Sequence, residues 1–169
     1  MGRLSLMLAG MLGASPARAQ PTIAPGLRDW AVRLLTSMIE TTREQAIADG
    51  VRPVPPAIYR GLLGYFPAAL LQKVRFGGTD TGRIALPTLA FTYGHAAGIT
   101  LGDVILFRDK RAAQTDLKLW VHELTHVLQY QRWGVDGFAA RYVDDSGAVE
   151  QEARDNVARF SRWKGELLR

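Results

Sequence analysis

His122-Glu123-Leu124-Thr125-His126 places two imidazoles four residues apart around a carboxylate. On an α-helix, residues four apart stack on one face, so His122 and His126 point the same way and can ligate one metal ion. Glu123 lies one step round the helix, where its carboxylate reaches a water on the metal instead of the metal itself. That is the physical reason an HExxH spacing suits metal-assisted hydrolysis. The chain has three histidines, and two of them fall within this pentapeptide. A catalytic zinc usually takes three protein ligands and keeps one position for water. No cysteine can be the third, and the longer HExxHxxGxxH pattern is not followed: Gln129 stands at the glycine position and Arg132 at the third histidine position. The remaining histidine, His95, lies upstream in TYGHAAG. A carboxylate from a later helix is therefore expected. VEQEARDNVARF (149–160) supplies Glu150 and Glu152 at its start and Asp155 further on. Glu150 and Glu152 stand about 200° apart on a helix, so only one can face the ion.

The same two histidines would also suit a core position beside a salt-bridging glutamate, so the surrounding elements matter. DLKLWVHELTHVLQYQ reads as a helix capped by Thr115 or Asp116 and running to about Tyr130, with Gly134 and Gly137 beyond it. Leu119, Leu124, Val127 and Leu128 supply an apolar back that can hold it rigidly. Leu27 to Ala48 is a long amphipathic helix, with Leu27, Trp30, Leu34, Leu35, Met38 and Ile39 at three- and four-residue steps and Gly50 at its end. RPVPP (52–56) is a stiff connection, and 57–74 is short helical material interrupted at Pro67. From Phe76 the chain is punctuated by Gly77, Gly78, Gly82 and Pro87, and ITLGDVILFRD (99–109) is its clearest strand material. DDSG (144–147) reads as a loop before a final helix, Val149 to Leu168, with Val149, Ala153, Val157 and Phe160 as its seam. The class this predicts is α+β: a long N-terminal helix, a small sheet with an edge strand, a histidine helix and a C-terminal ligand helix.

Residues 1–19 have the layout of a secretory signal peptide: Arg3, an apolar run from Leu4 to Leu12, then small residues and Ala17-Arg18-Ala19. The expected organisation is thus a signal peptide, 1–19, and one domain, 20–169, in an exported protein, periplasmic or secreted. No run is long enough to span a bilayer. Without Arg3 and Arg18 the formal charge is +3, and no Lys/Arg cluster with interleaved aromatics appears, so nucleic acid is not an expected partner. With no cysteine, an exported chain must rely on packing or a bound metal for its stability.

HELTH followed by an EQEA helix resembles the zincin-fold metallopeptidases whose third ligand is glutamate. RPVPPAIYRGLLGYFP, ITLGDVILFRD, DLKLWVHELTHVLQYQRWGVDGFAARY and VEQEAR together resemble, more narrowly, a bacterial group that includes the metallopeptidase core domain found with contractile injection systems. The resemblance runs from about Arg52 to Phe160. It implies a zincin-like fold, Zn²⁺ held by His122, His126 and Glu150, and Glu123 as the catalytic base. Ala153 matches the ExxAD-like motif of such enzymes, but Arg154 stands where its acid would be. Imidazole orientation must then come from another group, Asp155 or a backbone carbonyl.

The reaction so implied is peptide-bond hydrolysis, with Glu123 carrying the water's proton to the departing amine. His95, Tyr130, Tyr142 and Arg154 are candidates for the donor to the developing oxyanion. Ile99 to Phe107 fits an edge strand above the site, with Ile99, Leu101 and Val104 along the rail for an extended peptide. The competing reading is a non-catalytic exported binding or assembly protein on the same scaffold, which a buried Glu123 would favour.

Overall fold

Helix α1 (Pro25–Asp49) ends at Gly50, whose φ of 101° supplies the left-handed stop that a residue with Cβ rarely adopts. Its buried residues are Leu35, Ile39 and Ala46, while Leu27, Trp30 and Leu34, expected on the same seam, are exposed. The first half of α1 is tied to its neighbour by polar contacts instead: Thr36 Oγ1 donates to Asp136 at 3.0 Å, and Arg28 binds both oxygens of Asp144 at 2.6 Å. The computed structural model describes residues 25–78 and 97–167. The expected signal peptide and His95 lie outside the described residues.

Strand β1 (Arg52–Pro53), helices α2 (Pro56–Leu62) and α3 (Ala68–Lys73), and strand β2 (Arg75–Gly78) follow. Pro55 and Pro67 each stand immediately before a helix, with ψ near 140°, which fits their inability to continue one. Strands β3 (Gly98–Leu101) and β4 (Val104–Phe107) complete a four-stranded sheet of order β1-β2-β4-β3. β2 and β4 run parallel, and the other two pairings are antiparallel. Period-two alternation sends Ile105 and Phe107 into one apolar cluster with Trp120, Leu124 and α2, and Val104 and Leu106 into a second with α1.

Residues 99–107 are therefore a hairpin, which corrects the single edge strand expected from the apolar run. Gly102, with φ 68°, is the first central residue of its two-residue turn, a position that type II′ hairpins give to glycine. Arg43 of α1 holds that turn through Asp103, with donor distances of 2.9 and 2.7 Å to Oδ1. Val104 thus lies on the inner strand β4, paired on both sides, and is no part of an edge. Ile99 and Leu101 are on β3, but their side chains point into the second core cluster.

After the short α4 (Ala112–Thr115), α5 (Leu117–Leu167) runs as three helical stretches. Breaks at Gly134 (φ 70°, ψ 177°) and Asp145 (φ −157°, ψ 79°) separate 117–133, 135–144 and 146–167. The loop expected at 144–147 is only the second of these breaks. Asp145 Oδ1 accepts the Ala148 N–H at 3.0 Å and so caps the last stretch.

Candidate metal centre

Asp116 starts the histidine helix by accepting the Leu119 N–H on Oδ1 at 3.0 Å. Trp120, Leu124 and Val127 are buried along its back, and the Trp120 indole donates to the Ala113 carbonyl at 2.8 Å. The opposite face is thereby fixed and carries His122 and His126. The last stretch docks through buried Val149, Ala153 and Phe160. Asn156 links it to its surroundings, donating to Thr125 Oγ1 at 2.8 Å and accepting from the Tyr65 hydroxyl at 2.7 Å. This docking brings Glu150 over the two imidazoles.

The Nε2 atoms of His122 and His126 are 3.2 Å apart; Glu150 Oε2 lies 3.2 Å from the first and Oε1 3.6 Å from the second. Glu150 thus turns a different oxygen to each imidazole, and one ligand atom from each of the three residues lies within 4.8 Å of the others, a donor set of the kind that holds a metal ion. His122, His126 and Glu150 lie close enough together to bind a metal ion. Glu152, the alternative, faces elsewhere.

Burial opposes charge on both His122 and Glu150, but their mutual hydrogen bond, with Glu123 acting on the histidine and His126 on the carboxylate, outweighs it. The His122 pKa is raised above its ordinary value and that of Glu150 is lowered. Burial pushes the Glu123 carboxyl upward against the pull of His126, His122 and its hydrogen bond to Thr100.

Glu123 is 3% exposed and sits in a cradle made by β3. Ile99 and Leu101 face the core, so Gly98 and Thr100 face the histidine helix. The Thr100 hydroxyl donates to Glu123 Oε2 at 2.8 Å. A Cβ on Gly98 would stand 2.7 Å from Glu123 Oε1, so the carboxylate occupies space that only glycine leaves. Neither contact was foreseeable from spacing, because 23 residues or more separate these positions from Glu123.

Gln129 is the other group that the sequence reading missed. Its amide is fully buried between His126 Nδ1, at 2.8 Å, and the partners Val149 O and Glu152 Oε2, at 3.0 and 2.9 Å. Its place three residues after His126 on the same helix was a usable signal. Arg132, at the absent third-histidine position, pairs with Glu152 Oε1 at 2.7 Å. Asp155, expected to orient an imidazole, is exposed and accepts from Gln151 at 2.8 Å; it points around the helix away from the ligands. Tyr130 stacks on Phe138 at 3.9 Å and donates to the Thr100 carbonyl at 3.3 Å, behind the cradle. Tyr142 approaches Glu150 Oε1 at 3.5 Å, and burial together with that carboxylate pushes its pKa up to about 12. Arg154 is held by Gln151 at 2.9 Å and lines the cleft.

That cleft, about 530 Å³, is lined by Gly98 to Thr100, Arg154 and Val157 together with the histidines, Glu123 and Glu150. No described helix is long and apolar enough to cross a membrane. A family model described as the eCIS core domain matches residues 81–134, a span that holds the hairpin and HELTH and stops short of Glu150. No curated protein and no solved structure matches the chain significantly.

Proposed function

We propose that this chain is a zinc-dependent hydrolase of peptide bonds on a zincin-like scaffold, exported by the segment 1–19. The observation that carries the reading is the convergence of two imidazole nitrogens and a carboxylate, 3.2–3.6 Å apart, beside the HExxH glutamate in one cleft. The order of an antiparallel edge strand, an HExxH helix and a later glutamate helix supports the scaffold. Zn²⁺ held by His122, His126 and Glu150 would supply Lewis acidity to a substrate carbonyl and to the attacking water.

The chain's own groups supply the rest. Thr100 occupies Glu123 Oε2, which leaves Oε1 to take the water's proton and pass it to the departing amine. Burial, by raising the carboxyl's pKa, makes Glu123 a better proton carrier than an exposed carboxylate. Among the described residues β3 pairs only with β4, so the outward backbone groups at Gly98, beside a Thr100 carbonyl that already accepts from Tyr130, are the edge offered to an extended peptide. Arg154, which also lines the cleft, is a cation available to negative charge on the substrate.

A second reading, a non-catalytic exported binding protein, is favoured by one observation: Glu123 is 3% exposed. The experiment that separates the two is turnover of a quenched-fluorescence peptide library by zinc-loaded protein and its E123A variant. Hydrolysis by the parent, with E123A retaining zinc but losing at least about a hundredfold in rate, is expected. A zinc-loaded parent with no hydrolysis favours the binding protein.

A further inference from the structure

The Gln129 amide has one orientation that satisfies its neighbours. Val149 O and Glu152 Oε2 can only accept, so the NH2 end must face them, at 3.0 and 2.9 Å. The amide oxygen is then the atom 2.8 Å from His126 Nδ1. An amide oxygen also only accepts, so Nδ1 must carry the imidazole proton. A neutral ring with its proton there has its lone pair on Nε2, the atom that faces His122 and Glu150.

We infer that Gln129 is a positioning residue that locks His126 in the metal-binding tautomer, with Glu152 and the Val149 carbonyl clamping the amide from behind. The inference rests on the metal-site reading above. Arg132 completes the chain of contacts by holding Glu152 Oε1 at 2.7 Å, which turns Oε2 toward Gln129. The order is Arg132, Glu152, Gln129, His126, then the ion. It assigns work to the second glutamate of EQEA, which is not a ligand, and to the arginine at the vacant third-histidine position. A neutral amide takes the place a carboxylate often holds behind a metal-binding histidine. Gln129 is 0% exposed, so bulk solvent does not reach its contact with His126.

The test has two readouts, neither of them activity. The first is the His126 tautomer in metal-free protein at pH 8, read from ring ¹⁵N shifts. The second is the zinc Kd by chelator competition, with H122A as the control for the site itself. Wild type should show Nδ1–H at His126. Q129L should lose that preference and bind zinc about 10- to 100-fold more weakly. E152A keeps the Val149 contact and should lose less, roughly threefold to tenfold, with E152Q restoring most of that loss because its amide oxygen can still accept from Gln129. If Q129L does not fold, the E152A and E152Q pair carries the test on the same readouts. An Nε2–H ring in the wild type overturns the inference, as does Q129L binding zinc at wild-type affinity while H122A has lost it. If H122A binds zinc like the wild type, the metal site itself is misassigned.

Discussion

Gly98 gives the sharpest prediction about how Glu123 is held. An added Cβ would lie 2.7 Å from Oε1, 2.9 Å from Cδ and 3.1 Å from Cγ of Glu123. Ordinary carbon contacts begin near 3.4–3.5 Å, so the carboxylate would have to retreat by roughly 0.7 Å. It has little room to do so: Oε2 is bound to Thr100 at 2.8 Å, and Thr100 is itself 2% exposed. Overpacking of this kind costs about 1–3 kcal/mol. In an E123A background the clashing atoms are gone, and G98A should then cost close to nothing. Urea unfolding of metal-free wild type, G98A, E123A and the double variant measures this directly as a double-mutant cycle. The expected coupling is about 1–3 kcal/mol, with G98A destabilising only where Glu123 is present. An equal cost of G98A in both backgrounds would refute the cradle.

Other consequences can be checked by simpler means. Gly134 has φ 70° with ψ 177°, a region open essentially to glycine alone, and open space around a hypothetical Cβ, so G134A meets conformational strain alone and should lower stability by about 1–3 kcal/mol in thermal melts. Gly165, also in open space but inside the last helical stretch, should show the opposite sign, with G165A gaining up to about 1 kcal/mol. Metal affinity should fall as pH drops through the histidine range, because both imidazoles must be unprotonated to bind. His122 holds its proton to higher pH than an ordinary histidine, so proton competition should begin above its usual titration range; chelator competition from pH 8.5 to 5.5 checks this.

Much of the site could be read from local spacing. His122, Glu123 and His126 share a helix, and a helix fixes which residues are neighbours at three- and four-residue steps. The apolar back of the helix and the later EQEA helix followed from the same periodicity, and residue type narrowed the cap to Thr115 or Asp116, of which the structure uses Asp116. Periodicity alone left Glu150 and Glu152 open, and it was the family resemblance that pointed to Glu150. Which of them faces the imidazoles is set by the docking angle of the last stretch, which depends on breaks at Gly134 and Asp145 and on packing around Ala153 and Phe160. Periodicity fixes the faces of a helix but not the direction in which the next one leaves. The hairpin was misread as one strand because an apolar run looks the same on either side of a two-residue turn; the Gly-Asp pair at 102–103 was the overlooked signal. The seam of α1 was overestimated because Leu27, Trp30 and Leu34 fit the helical period but meet no core. Thr100 and Gly98 reach Glu123 only through sheet placement, which no local pattern encodes.

Metal content is the most direct test of the central claim. Purified wild type, H122A, E150A and E123A would be exchanged into zinc, freed of excess by gel filtration and measured by inductively coupled plasma mass spectrometry. One equivalent is expected in the wild type and in E123A, and far less in H122A and E150A, because two of three ligands cannot hold the ion against dilution. Full occupancy in E150A, or an equal loss in E123A, would contradict the assignment of ligands and base.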